Sequence, residues 1–365
     1  MKNVQLLLVL AVSLLMTMQS CSKDESEGCI DAEACNFNPE AELADGSCIY
    51  ASDWFLDLDG DGYGNSTLII SDCSQPVGYT QGMCQLITFW ADEDNDGLGD
   101  PNNSTLVCDT VEGYVSNNAD YVDEVPPLKQ RAVIVYQGAT WSGESGAVGD
   151  PTKTYLEQTY GEDVIILNCQ SADSITSATA FGTLFGAQFS TFYTPVITSL
   201  PHCYFSAANY AMTEHGFTSS TTQFNGIVDQ VLVSAAKVGV LAIASLEAGV
   251  VTVHTSTKFA SAAGEHFLGV YLLEDGVMEE QVIDGSANTV TAHNNVLRGV
   301  SSTASGSLGI ESIGATFVAD QIVENTYTIP VPLTVGDISK LQIGVVVWDG
   351  STADKISNGI LIDVN

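Results

Sequence analysis

The sequence predicts a multidomain, strand-rich exported protein: a small disulfide-braced stalk of repeats, then an α/β domain, then an antiparallel β-sandwich. Three observations carry this prediction. An apolar amino-terminal run precedes closely spaced cysteines, a unit of 35 residues recurs without a gap, and short β-branched runs separated by Gly, Asn and Asp fill the carboxy-terminal half. The chain has 365 residues, with 45 Asp plus Glu against 10 Lys plus Arg and a formal net charge of −35. Nucleic acid is excluded as a partner, because affinity for phosphate backbones needs clustered Lys and Arg that displace counterions. An anionic lipid surface is disfavoured on the same ground. The acidity is uneven: residues 22 to 125 hold 23 acids and one base, Lys23. That region therefore reads as cation-binding.

The amino terminus combines Lys2, an apolar run from Val4 to Met16, and Thr17 to Ser20 before Cys21. A positive start, a short apolar core and small polar residues before the cut describe a secretory signal. This ending resembles a bacterial lipoprotein signal, with Met18 and Gln19 in place of the commoner Leu and small residue. The resemblance implies a signal peptide over 1–20 and lipidation of Cys21. Ser22-Lys23-Asp24-Glu25 is similar to the export signal of Bacteroidetes-type surface lipoproteins. It implies an outer-membrane partner through the lipid anchor, whose acyl chains hold the mature protein stably.

Residues 21–50 form a Cys-rich module, from Gly28-Cys29 through Cys35-Asn-Phe-Asn-Pro to Asp45-Gly-Ser-Cys48. It resembles a short module of surface proteins in the same bacterial group and is too small to fold on apolar burial alone. Residues 51–124 then hold two gapless copies of the repeat. Asp57, Asp59, Asp61, Gly62 and Gly64 fall on Asp92, Asp94, Asp96, Gly97 and Gly99, and Trp54-Phe55 falls on Phe89-Trp90. Alternating Asp residues followed by Gly let a tight loop turn several oxygens toward one hard cation, and Ca²⁺ takes about six to eight oxygen ligands. Neither copy is an EF-hand, since Leu68 and Asn103 stand where the bidentate Glu is needed. The loops are similar to thrombospondin type 3 repeats, which implies Ca²⁺ as cofactor with Asp57, Asp59, Asp61, Asp92, Asp94 and Asp96 as ligands.

An exported chain makes disulfides the default state of closely spaced cysteines. Cys73 and Cys84 are expected to close a loop inside the first copy. The place of Cys84 in the second copy is Ala119, so Cys108 has no partner in its own repeat. A bridge from Cys29, Cys35 or Cys48 to Cys108 makes the count even, and three pairings of those four stay open.

Residues 125–130 read as a linker around Pro126-Pro127. In 131–222 the order is a buried-strand run Arg131 to Tyr136, a helical stretch to about Tyr160, a strand Asp163 to Asn168, an insert, and Ser199-Leu-Pro-His-Cys-Tyr-Phe205. This order, with Ala139-Thr-Trp141-Ser142-Gly-Glu-Ser145 and Leu200-Pro201, resembles the thioredoxin fold. The resemblance implies a redox site degraded to Trp141, Ser142, Ser145 and Pro201, with serine at both catalytic cysteine positions. A serine hydroxyl can neither attack sulfur as a thiolate nor resolve a mixed disulfide, so no enzyme activity is expected. Cys169 and Cys203 lack the C-x-x-C spacing and are expected to be structural or buried.

Residues 223–365 offer strand candidates at Ile227–Ser234, Val238–Leu246, Val250–Phe259, Phe267–Leu273, Val277–Ile283, Thr326–Val331, Leu341–Trp348 and Ile360–Val364. Their number and spacing indicate an antiparallel β-sandwich. His254, His266 and His293 show no metal-like spacing and are given structural or surface roles. With Gly269-Val-Tyr-Leu-Leu-Glu-Asp-Gly276 and His293-Asn-Asn-Val-Leu-Arg-Gly299, residues 129–365 resemble the twenty-eight-kilodalton outer-membrane protein family. The resemblance implies a surface lipoprotein. The expected function is calcium-dependent adhesion or capture of an extracellular ligand or surface protein at the outer membrane. The alternatives are an auxiliary role in extracytoplasmic thiol–disulfide metabolism, which Ser142 and Ser145 oppose, and a structural spacer in a surface complex.

Overall fold

The computed structural model describes residues 25–58, 60, 62–84, 86–108, 110–170, 200–206, 212–216, 221–301, 309–350 and 355–365. The signal peptide, Cys21, Asp59 and Asp61 lie outside the described residues. The chain is mostly β-structure with few helices and forms two compact units, one from residues 1–88 and 106–110, the other from 89–105 and 111–365. Among the described residues no helix is long and apolar enough to cross a membrane.

The first unit is held by covalent bridges and side-chain turns more than by a core. Strands β1 (Glu27–Gly28) and β2 (Leu43–Ala44) pair in parallel. The side chains of Asp31, Asn38 and Asp45 each accept the backbone N–H two residues on, at 3.0, 3.0 and 2.8 Å. Such turns satisfy backbone donors where few apolar groups are available to bury them. Strands β3 (Ser52–Leu56), β4 (Asn65–Asp72) and β5 (Tyr79–Thr80) form a sheet in the order β4–β3–β5. The strands of the second copy, β6 (Ile87–Ala91), β7 (Ser104–Val107) and β8 (Tyr114–Val115), take the matching order β7–β6–β8. The recurring glycine has a steric cause in both copies: a Cβ on Gly64 would lie 2.5 Å from the Phe55 carbonyl oxygen, and one on Gly99 would lie 2.5 Å from the Trp90 Cβ.

The disulfides are Cys29–Cys48, Cys35–Cys73 and Cys84–Cys108. This corrects the expected Cys73–Cys84 loop and the expected bridge from the Cys-rich module to Cys108. The β3–β4 hairpin is the reason. Ser52 faces Asp72 at one end, beside Cys73, whereas the Cys84 N–H donates to the Gly64 carbonyl at the other end, where Leu56 faces Asn65. Cysteines at opposite ends of a hairpin several residues long, at roughly 3.3 Å per residue, exceed the reach of about 7 Å between bridged Cα atoms. Cys73 instead meets Cys35 at a Cα separation of 5.5 Å, and Cys84 meets Cys108 at 5.6 Å.

In the second unit, β9 (Ala132–Gly138) lies parallel to β10 (Val164–Gln170), and β11 (His202–Ser206) runs antiparallel to β9 with β12 (Met212–Gly216) outside it. Every residue of β9 and β10 is buried. This is what a continuous apolar run means in a sheet covered on both faces. One face carries Ile134, Ile166 and Phe205 against Leu156 of helix α1 (Asp150–Tyr160) and against helix α2 (Thr221–Leu232). Ile227–Ser234, expected as a strand, is therefore the end of a helix and its exit. Phe224, Val228 and Val231 recur at helical spacing and are all buried, so the apolar period of 3.6 outweighs β-branched content.

The remaining strands are β13 (Val238–Glu247), β14 (Val250–Phe259), β15 (His266–Glu274), β16 (Val277–Gln281), β17 (Thr289–His293), β18 (Val296–Val300), β19 (Ile310–Gly314), β20 (Ile322–Pro330), β21 (Leu341–Asp349) and β22 (Lys355–Asp363). The α/β part and the sandwich share one sheet. Asn168 of β10 pairs in parallel with Val296 of β18, giving the order β12–β11–β9–β10–β18–β15–β21–β22, with β19 on β15. A second sheet, β13–β14–β20, closes the sandwich, and Val240, Val253, Phe259, Leu272, Ile329 and Val345 fill the space between them. The hairpin β16–β17 stands apart from both sheets.

Candidate metal centre

The acidic loop of the second copy follows β6. Its turn needs left-handed backbone at Asn95 (φ 62°) and Gly97 (φ 92°), residue types that tolerate it. The carboxylates then take up the loop's own amides. Asp92 accepts from the Asp96 N–H at 3.1 Å and the Gly97 N–H at 3.2 Å, Asp94 from the Asp96 N–H at 3.1 Å, and Asp96 from the Leu98 N–H at 2.7 Å. Asp92, Asp94 and Asp96 thereby converge, each offering an oxygen within 4.8 Å of the others.

A second segment closes on this loop after β8. The Asn117 side chain donates to the Gly97 carbonyl at 2.8 Å and accepts the Gly99 N–H at 3.3 Å, and the Asp120 N–H donates to the Gly99 carbonyl at 3.1 Å. Asp123 accepts the Glu93 N–H at 2.8 Å. Asp94, Asp120 and Asp123 consequently form a second cluster with oxygens within 4.8 Å, sharing Asp94 with the first. The same strap continues onto the sandwich: the Tyr121 ring stacks on His254 of β14 with centroids 4.0 Å apart. Gly239 of β13 accepts the close approach of the next residues, since a Cβ there would lie 2.7 Å from the Pro127 carbonyl oxygen.

This cluster is buried without a matching positive charge. Asp92 and Asp94 are 8% and 9% exposed, and Asp120 is wholly buried. One oxygen of Asp94 and one of Asp120 lack any hydrogen-bond partner. Burial, reinforced by the neighbouring Asp96 charge, pushes the Asp94 carboxyl up to about 6. Burial pushes Asp120 up to about 7 against the opposing hydrogen bond from the Val122 amide, with Asp94, Asp96 and Asp123 adding to the rise. Glu324 of β20 is pushed up to about 8, first by burial and then by the charges of Asp120, Asp96 and Asp94. Elsewhere in this unit a buried acid is matched by a base, as Glu274 is by Arg298 at 2.6 Å. A hard cation coordinated by carboxylate oxygens is the chemical match for the Asp cluster.

The first copy is built differently. Asp57 accepts the Gly60 and Gly62 N–H groups at 2.7 and 3.1 Å. It is only half-buried, and Asp59 and Asp61 lie outside the described residues. The positions matching Asn117, Asp120 and Asp123 are Gly82, Gln85 and Thr88. Asp120 and Asp123 escaped the sequence reading because the repeat alignment has no counterpart for them. The surplus of acids at the end of the second copy, Asp120, Asp123 and Glu124, was the available signal.

Of the serine-substituted motif, Ser142 and Ser145 lie together in the α/β part and Pro201 lies beside Gly149. Leu200–Pro201 is cis, and Gly149 lies against Pro201, where a Cβ would come within 3.0 Å. The Ser145 N–H donates to Ser142 Oγ at 3.2 Å, and Ser145 Oγ accepts the Ala139 N–H at 3.3 Å. Both serines are buried, whereas Trp141 is 57% exposed. The chain after β16 covers the motif. The Val282 and Asp284 N–H groups donate to the Thr140 and Gly143 carbonyls at 2.8 and 3.0 Å, and Gln281 donates to the Ser142 carbonyl at 3.0 Å. Cys169 and Cys203 lie outside the disulfides and are buried, which holds both thiols well above their ordinary range and suppresses the thiolate. His254 stacks on Tyr121, His266 bonds the Gly264 carbonyl at 3.0 Å, and buried His293 lies 3.7 Å from Asp150.

Compared with known proteins, the sequence matches no family model and no curated protein. Among solved structures, HBP35 of Porphyromonas gingivalis is similar over 66% of this chain and 76% of its own, at 15% identity and a TM-score of 0.49. A structural-genomics target protein from Agrobacterium tumefaciens is similar over 65% of this chain and 96% of its own, at 12% identity and a TM-score of 0.39.

Proposed function

We propose that this chain is a calcium-binding lipoprotein displayed at the outer membrane, acting in adhesion or capture of an extracellular ligand and carrying no thiol chemistry. The observation that carries the calcium reading is the buried pair Asp94 and Asp120, each with an oxygen lacking a partner, inside a cluster of five carboxylates. In water such groups ionise, and burying several together is unfavourable unless a cation neutralises them. The only base between residues 22 and 125 is Lys23, so the repeats supply no cation of their own. The display reading rests on the signal that ends at Cys21 and on the acidic residues after it.

The α/β part is read as a thioredoxin-like scaffold. Its support is the parallel β9–β10 pair, antiparallel β11 and the cis Leu200–Pro201 bond. Ser142 and Ser145 remove the chemistry, and residues 281–284 lie over the place where a substrate disulfide would dock.

The test is thermal unfolding of the mature chain, carrying Cys21→Ser, in Ca²⁺ and in excess chelator. Ca²⁺ at a hundredfold excess over its dissociation constant stabilises the form that binds it by about 2.7 kcal/mol. A transition that rises by several degrees in Ca²⁺ supports the reading, and an unchanged transition overturns it.

A further inference from the structure

We infer that the cation of the second copy is held by three chain segments, the 92–96 loop, the 120–123 strap and Glu324 of the sandwich strand β20, so that binding it fastens the repeat to the sandwich. The inference deepens the calcium reading and rests on it.

Two independent features support the site. Asp120 is wholly buried, with one oxygen unpartnered, and its carboxylate lies within 4.8 Å of those of Asp94 and Asp123. Glu324 comes from the sandwich side: its Oε1 is buried without a hydrogen-bond partner, and it stands on β20 two residues from Thr326, which faces the His254 that carries the strap's Tyr121. A loop of three alternating Asp residues could hold a cation by itself. Carboxylates brought in by the strap and by β20 make the site depend on the strap staying seated. The strap is already positioned for this role. Asn117 ties it to the loop, Tyr121 stacks on His254 of β14, and β14 is the strand that pairs with β20, with Ser256 facing Glu324. Without the cation, ionising the carboxylates of the loop and strap together with the nearby Glu324 is unfavourable, which opposes the docking. With it, the repulsion becomes shared coordination.

The experiment is calorimetric Ca²⁺ titration of the mature Cys21→Ser chain beside its Glu324→Gln and Asp120→Asn variants, with amide hydrogen exchange of residues 117–124 in Ca²⁺ and in chelator. Both variants should weaken the tight site by about tenfold or more, the scale seen when groups supporting a metal site are removed. Glu324→Gln should also melt no lower than the parent in chelator, because it replaces an acid crowded by other acids with a neutral amide of the same shape, and this separates a lost ligand from a damaged fold. The amides of 120–124 should be protected in Ca²⁺ and exchange faster in chelator. If the parent binds Ca²⁺ but Glu324→Gln binds it equally well and strap exchange ignores Ca²⁺, the three-segment site is overturned while the calcium reading stands. If the parent binds no Ca²⁺, both fall.

Discussion

The two copies of the repeat share a motif and differ in what surrounds it. In both, a strand with an aromatic pair leads into D-x-D-x-D-G, and a glycine packs under the aromatic residue. In the second copy Asn117 clamps the loop, Asp120 and Asp123 add carboxylates, and the cluster is buried. In the first, Thr80 Oγ1 donates to the Gly62 carbonyl at 2.8 Å where Asn117 bonds Gly97, and no acid occupies the matching strap positions. A cation motif is therefore a necessary part of a site and not the whole of it. Among the described residues, burial and a second segment of carboxylates are what set the second copy apart.

The largest expected effect comes from removing the Cys84–Cys108 bridge. It closes a segment of 24 residues that contains Asp92, Asp94 and Asp96. The double change Cys84→Ser and Cys108→Ser should cost about 2 to 5 kcal/mol by chemical denaturation and weaken Ca²⁺ binding, because the loop is no longer held closed. Next is Asp120→Asn, which should remove most of the roughly 2.7 kcal/mol that Ca²⁺ adds at a hundredfold excess. In chelator the same variant should be no less stable than the parent, since a buried acid with one unpartnered oxygen has been neutralised while its other oxygen still accepts the Val122 N–H; thermal melts in the two buffers give both signs. Asn117→Ala deletes two hydrogen bonds to the Gly97 and Gly99 backbone and should cost about 1 to 3 kcal/mol. The converse change, Gly82→Asn, should destabilise the first copy instead of improving it, because a Cβ there runs into the Gly62 carbonyl oxygen. The smallest effect is expected for Asp57→Asn, whose remaining oxygen still accepts one loop amide. Its cost should stay below about 1 kcal/mol with the Ca²⁺ response intact.

The extent to which the sequence foretold the fold varies with the range of the interaction concerned. Strand patterns that alternate locally, such as Val250–Phe259, match the structure residue for residue. Helix α2 was misread because the window began after Phe224, the residue that reveals the helical period. The short strands β17, β18 and β19 went unread, since an isolated run of five residues carries little periodicity. The union of the α/β part with the sandwich rests on Asn168 facing Val296, a pairing that no local pattern encodes. The centre divides in the same way. The convergence of Asp92, Asp94 and Asp96 was legible from their spacing, whereas Asp120 and Asp123 join Asp94 only through tertiary contacts. Disulfide pairing belongs with these, because the number of cysteines leaves open which of them the hairpin separates.

The proposal that the carboxylates around Asp94 hold the tight cation is tested most directly by titrating Ca²⁺ into Asp94→Asn and Asp57→Asn variants of the mature chain side by side. The account predicts that Asp94→Asn loses the tight binding event while Asp57→Asn keeps it unchanged. Equal losses in the two variants, or a loss confined to Asp57→Asn, would contradict it.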